Sequence, residues 1–318
     1  MNAVNAVIGT DLWGRVFSFQ DYGELLGLLW PSLGAGAVLG VVGGVIGVVV
    51  MARDMGFAVH GISELSFAGA SAALLLGFDV VTGSVVGSIL AALVLGLLGS
   101  GARERNAITG VLMPFGLGLG ILFLSLYEGR SANKFGLLTG QIVAVDGDKV
   151  VTMVAGAIVV LTGLAIIWRP LMFSSTDPWV AVARGVPQRT LSVVFVVLLG
   201  LAVAMAIQIV GALLVLSLLI TPAAAALHLT SRPGKAVLLS VVFAVVSVVG
   251  GIMLALAGSL PVSPYVTTLS FAIWLVARAV GGRRERRGSG GGRVSGGRGA
   301  GSTAPGAVSA GLSQAASG

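Results

Sequence analysis

The 318-residue chain has no cysteine. That excludes disulfides, iron–sulfur clusters and thiolate metal sites, so any transition metal must meet nitrogen and oxygen ligands. Histidine is nearly as scarce. With only His60 and His228 in the chain, a zinc site of the HExxH type cannot be built. Charged residues make up 10% of the sequence, against about a quarter in soluble domains. No G-x-x-x-x-G-K-[ST] phosphate loop and no dinucleotide fingerprint occur, which removes the recognised modes of binding ATP or NAD. A Ser-His-Asp arrangement has no support either, because His228 stands beside Thr230 and Ser231 with no acid nearby and reads as an interfacial residue. No catalytic residue and no permanently bound cofactor are expected.

What the chain has in abundance is apolar length. Hydrophobic residues reach 56% and the mean hydropathy is +1.03, values that belong in a bilayer. The 49 glycines would weaken soluble helices, but membrane helices use small residues to approach one another closely. Runs of about 20 apolar residues predict spans near 31–52, 57–77, 80–100, 107–127, 150–168, 190–207, 209–228, 236–258 and 264–281. The fold class is therefore all-α, a polytopic integral membrane protein with about nine transmembrane helices, eight being the other admissible count. The stretch 190–229 is about two bilayers long and must turn back, with Gln208 to Gly211 the expected turn. Counting Lys and Arg in the loops favours a cell-membrane protein with its N-terminus outside and its C-terminus cytoplasmic.

Glu64 is the most informative residue, because it is a carboxylate well inside a membrane-length segment. A charge at that depth costs roughly 2.5–3.5 kcal/mol even on the lenient insertion scale, so it points to function. His60 precedes it by four residues, which places both on one helix face and would let imidazole and carboxylate hold one cation. A polar pair that merely joins helices is the alternative.

Outside the spans, residues 1–24 read as an interfacial segment with no cleavable signal, since Asp11, Arg15 and Asp21 interrupt it. The run 176–189, TDPWVAVARGVPQR, reads as a short helix opened by Asp177-Pro178 and ended by Gly185-Val186-Pro187. It is either a connector or a docking element. Residues 282–318 are rich in Arg, Gly, Ser and Ala and are expected to be a disordered basic cytoplasmic tail. The cluster Arg283, Arg284, Arg286 and Arg287 favours topology and anionic lipid over nucleic acid, for which a charge run is weak evidence.

The runs Arg53-Asp54-Met55-Gly56-Phe57, His60-Gly61-Ile62-Ser63-Glu64 and Phe67-Ala68-Gly69 resemble a signature of the form R-x-M-x-F-x-x-D-x-x-S-H-x-x-x-P-G, that of the membrane permeases of ABC-type zinc and manganese importers. Ala107-Ile108-Thr109-Gly110, Gly116-Leu117-Gly118-Leu119-Gly120, Leu138-Thr139-Gly140-Gln141 and Asp177-Pro178 with Ala183-Arg184-Gly185-Val186 follow in family order. Val210-Gly211-Ala212-Leu213-Leu214-Val215 with Leu219-Ile220-Thr221-Pro222-Ala223-Ala224 is the nearest match, and the likeness covers about 25–281 as one permease domain.

Three departures stand out. The family's metal-path Asp corresponds to His60 and its His to Glu64, so the pair is exchanged in order. Its Pro before Gly is Ala68 here, which removes a kink determinant. The usual acid near Glu104, Arg105 and Asn106, just before the Ala-Ile run, is also missing.

The resemblance implies a homodimeric permease in the lipid bilayer, served by a separate ATP-binding cassette ATPase subunit and an extracellular metal-binding protein. His60 and Glu64 are then the metal residues, for Zn2+ or Mn2+ with iron a further candidate. Asp177, Arg184 and Gly185 carry the coupling to the ATPase, and zinc is favoured. The chain itself would hydrolyse nothing. The alternative from another class is a secondary transporter or channel in which His60 and Glu64 relay an ion or proton. Import of an iron chelate or cobalamin suits the spans but not the narrow polar pair.

Overall fold

In the computed structural model, residues 29–99, 101–129, 136–137, 147–256 and 261–290 are described. The expected interfacial segment 1–24, the Leu138–Gln141 motif and the tail beyond 290 lie outside them. All regular structure among the described residues is helical. In chain order the elements are α1 (Trp30–Ala52), α2 (Gly56–Leu76), α3 (Val80–Leu98), α4 (Ala102–Leu126), α5 (Gly147–Thr176), α6 (Pro178–Ala183) and α7 (Gln188–Val210). A 3-10 turn at Ala212–Leu214 follows, then α8 (Val215–Leu219), α9 (Thr221–Leu229), α10 (Pro233–Leu256) and α11 (Val262–Gly290).

Eight of these helices are long and apolar enough to cross a membrane. The ninth expected span, 209–228, is broken instead. Gly211 adopts a φ of 81° where α7 ends, at the turn expected from the sequence. A second break at Ile220 separates α8 from α9, and Pro222 at the start of α9 cannot donate the N–H that would join the two. Hydropathy alone cannot see such a break, because the residues on both sides of it are mostly apolar.

Glycine sets the helix spacings. A Cβ at Gly36 would lie 2.8 Å from the Ile252 side chain, at Gly40 2.9 Å from the Val245 backbone, and at Gly44 2.5 Å from Val241 Cα. This four-residue stripe therefore lets α1 rest on the backbone of α10, the close approach that small residues permit in a membrane. Helix α2 is enclosed. Gly69 meets the Gly83 carbonyl and Gly87 meets that of Leu65, which brings α3 against it. Phe67, Ile62 and Val59 are fully buried. By contrast α4 and α5 expose Val111, Phe115, Ile121, Val151, Ile158 and Ile166, apolar surface that costs nothing against lipid chains.

Candidate functional site

Helix α2 carries the two residues singled out from the sequence. It is unbroken over Gly56–Leu76, consistent with Ala68 in place of a kinking proline. His60 and Glu64 stand one turn apart, with His60 Nε2 3.8 Å from Glu64 Oε1. That is beyond a hydrogen bond, which needs about 2.7–3.2 Å. It is within the ~4 Å that a cation bonded at about 2 Å to each atom can span. The Glu64 side chain is 5% exposed and that of His60 25%, so the pair opens on the imidazole side. His60 Nδ1 is buried with no hydrogen-bond partner.

Several neighbours hold this segment of α2 in place. Ser63 Oγ donates to the His60 carbonyl at 2.8 Å. Ser66 Oγ donates to the Ser84 carbonyl of α3 at 2.8 Å. Ser84 Oγ in turn reaches the Ala204 carbonyl of α7 at 3.4 Å, so a buried hydroxyl chain ties three helices together just beyond Glu64. From the other side α4 lies against α2 through glycines. A Cβ at Gly61 would be 2.8 Å from Thr109 Cγ2, one at Gly116 would be 2.9 Å from the Glu64 backbone, and one at Gly120 would enter the Phe67 ring. Thr109, Gly116 and Gly120 belong to motifs noted in the sequence, but no role for them was legible there. What they do is place α4 directly beside the pair.

Among the described residues no three His, Cys, Asp or Glu side chains come together where they could hold a metal ion. One copy of α2 thus offers two ligands and no third.

The corner between α1 and α2 is a three-residue turn in which Asp54 takes a φ of 52°, a left-handed conformation that Asp tolerates better than most residues. Arg53 at this corner donates to Ser174 Oγ of α5 at 3.3 Å and lies 5.9 Å from the centroid of the Phe195 ring of α7. Arg105 Nη2 approaches the Arg53 carbonyl at 3.5 Å. Burial, and secondarily the Arg105 charge, lower the Arg53 pKa from its ordinary value. This cluster ties the ends of α1, α4, α5 and α7 into one corner.

The residues expected to form a short surface helix do so. Asp177 caps α6 by accepting from Val180 N at 3.1 Å, Pro178 occupies the first turn, and Gly185 closes it at a φ of 79°. Gln188 Nε2 donates back to the Pro178 carbonyl at 2.6 Å, which fixes the exit. Arg184 is exposed, with its guanidinium 5.8 Å from the centroid of the Phe173 ring. Trp179, for which the sequence suggests no separate role, is 87% exposed. His228 lies 6.1 Å from Trp274, edge to face, and far along the chain from the α2 pair.

The model of the ABC 3 transport family matches residues 26–281. The manganese transport system membrane protein MntC of Halalkalibacterium halodurans is 31% identical over 70% of this chain and 77% of its own length. The high-affinity zinc uptake system membrane protein ZnuB of Haemophilus influenzae is 25% identical over 72% of this chain and 88% of its own. Among solved structures, PsaBC from Streptococcus pneumoniae in complex with Fab superposes with a TM-score of 0.72 at 25% identity, over 80% of this chain and 94% of that one.

Proposed function

The chain belongs to the ABC 3 transport family, and from that premise we propose that it is the membrane permease of an ATP-driven importer of divalent transition-metal ions, with zinc as the favoured cargo. It is a multi-pass membrane protein and a transport component, so the energy must come from a partner that binds ATP.

The observation that carries the metal reading is the buried Glu64 carboxylate 3.8 Å from an imidazole inside a membrane-length helix. Such a pair is expensive to bury unless a positive charge visits it. One imidazole and one carboxylate are too few ligands for a tetrahedral cation. A second copy of the chain, related by a two-fold axis running beside α2, would supply the other two. His60 and Glu64 hold the ion briefly, and movement of α6, docked on the ATPase through the Asp177–Gly185 segment, switches the path between outward and inward access. An extracellular metal-binding protein delivers the ion, the N-terminus lies outside, and the C-terminal basic tail is cytoplasmic.

Affinity order favours zinc for nitrogen and oxygen ligands. Manganese is the second reading, favoured by the names of MntC and of similar relatives. Membership in the family weighs against a secondary transporter or channel using the same pair. Two measurements test the proposal together. The detergent-solubilised chain should copurify with a phosphate-loop ATPase, and membrane vesicles containing both should take up radioactive zinc or manganese only with ATP. ATP-independent uptake by the chain alone would defeat it.

A further inference from the structure

Away from the α2 pair, an open groove of about 430 Å3 runs between α1, α5 and α10, lined by Val45, Leu161, Leu164, Ile166 and Val237, with Trp168 and Arg169 at one end. We propose that this groove binds one anionic phospholipid, its headgroup phosphate on Arg169 and an acyl chain along the apolar lining.

The polarity of the groove matches that ligand. Arg169 is exposed, and among the described residues it has no ion-pair or hydrogen-bond partner. Among the described residues no acidic side chain lines the groove, and apart from Trp168 and Arg169 their lining offers no hydrogen-bonding side chain. An extended peptide would bring a row of polar backbone groups into this surface, which offers almost nothing to pair them. An acyl chain brings none. Length agrees too. Leu161, Ala165, Trp168 and Arg169 lie toward one face of α5. The eight residue steps from Leu161 to Arg169 rise about 12 Å, close to one leaflet of a hydrocarbon core about 30 Å thick. Trp168 suits the headgroup level.

The three helix ends are held at a common level. Arg53 bonds Ser174, joining the C-terminal ends of α1 and α5, while Val48 packs with Ala236 and Val237 at the start of α10. Pro170, next to Arg169, lacks the N–H that would otherwise pair with the Ile166 carbonyl at the groove wall. Which leaflet the site faces rests on the orientation proposed above, cytoplasmic in that case, but the lipid assignment does not.

Trp168 supplies its own probe. In the full-length chain with Trp13, Trp30, Trp179 and Trp274 changed to Phe, reconstituted with brominated phosphatidylglycerol or brominated phosphatidylcholine, quenching of Trp168 should favour the anionic lipid by about fivefold, the effect of one basic residue near a membrane surface. Arg169→Gln should remove that preference while leaving quenching by phosphatidylcholine unchanged. Ala165→Phe, which fills the groove, should reduce quenching by both lipids. Should the four-fold replacement fail to fold, native mass spectrometry of the unmodified chain reads the same property: bound phosphatidylglycerol present, and lost in Arg169→Gln. Equal quenching by the two lipids, or bound lipid unaffected by Arg169→Gln, overturns the proposal. Absence of quenching by either lipid also overturns it, because protein then covers the groove.

Discussion

Thr109 of α4 rests on the space left by the missing side chain of Gly61 on α2, one residue from His60. A Cβ there would come within 2.8 Å of Thr109 Cγ2. Thr109 is not free to swing aside, since its Oγ1 donates to the Arg105 carbonyl at 2.8 Å. Gly61→Ala should therefore push α4 away from α2. Overpacking costs about 1–3 kcal/mol, which outweighs the gain of at most about 1 kcal/mol from replacing a helical glycine. The expected outcome is a lowered melting temperature of the purified chain and reduced metal uptake. Adding Thr109→Ser, which deletes Cγ2 and keeps the hydroxyl, should restore both. Failure of that rescue would show that the contact does not set the spacing.

A second expectation concerns α6. Its cap and closure are local, so changing the exposed Arg184 should leave the helix intact while altering what it presents to a partner. If α6 docks on the ATPase, Arg184→Glu should place a like or unmatched charge in that interface, a change worth several kcal/mol at worst. Uptake should fall by about tenfold or more with ATP hydrolysis and membrane insertion retained. Unchanged uptake together with unchanged copurification of the ATPase would remove α6 from the coupling.

Much of the architecture was legible in the sequence, and the limits have physical causes. Long apolar runs located the eight helices because each is near a bilayer in length, and Gly211 marked the end of α7 because its φ is closed to other residues. The same hydropathy could not tell a spanning helix from α8 and α9, whose break at Ile220 and Pro222 leaves composition untouched. The capped start of α6 at Asp177-Pro178 followed from side-chain chemistry within a few residues, which a sequence displays directly. Contacts between distant segments were invisible: nothing near Arg53 announces Ser174 or Phe195, and nothing near Gly61 announces Thr109. The His60–Glu64 spacing predicted a shared face, but only the folded chain brings Gly116 of α4 against the Glu64 backbone.

The basic tail gives a third expectation. Helix α11 runs to Gly290, and the family match ends at residue 281. Truncation after Gly290 removes a segment of Gly, Ser, Ala and Arg that has too little apolar content to bury a core, so uptake should stay within about twofold and thermal stability should not change. Loss of uptake at normal membrane levels would mark the tail as regulatory.

The metal pair supplies the decisive test. If His60 and Glu64 act as an acid and an imidazole in exchanged order, the requirement is one of each on this face of α2. Their side chains are held by the same backbone one turn apart, so either order can bring nitrogen and oxygen to one ion. The double change His60→Asp with Glu64→His should then keep measurable uptake. Glu64→Ala or His60→Ala alone should each lower uptake by well over about tenfold, since even groups that only orient a ligand are worth about 10–100-fold in metal affinity. Both alanine variants should still insert, because removing an intramembrane polar group lowers the cost of insertion. A purely structural pair predicts the reverse pattern: less protein in the membrane, and normal uptake per molecule that remains. Radioactive zinc and manganese uptake, each normalised to inserted protein, separates the two, and the ratio between the two metals reports the cargo. Normal normalised uptake in Glu64→Ala would end the metal-site reading and leave the permease assignment standing on the family alone.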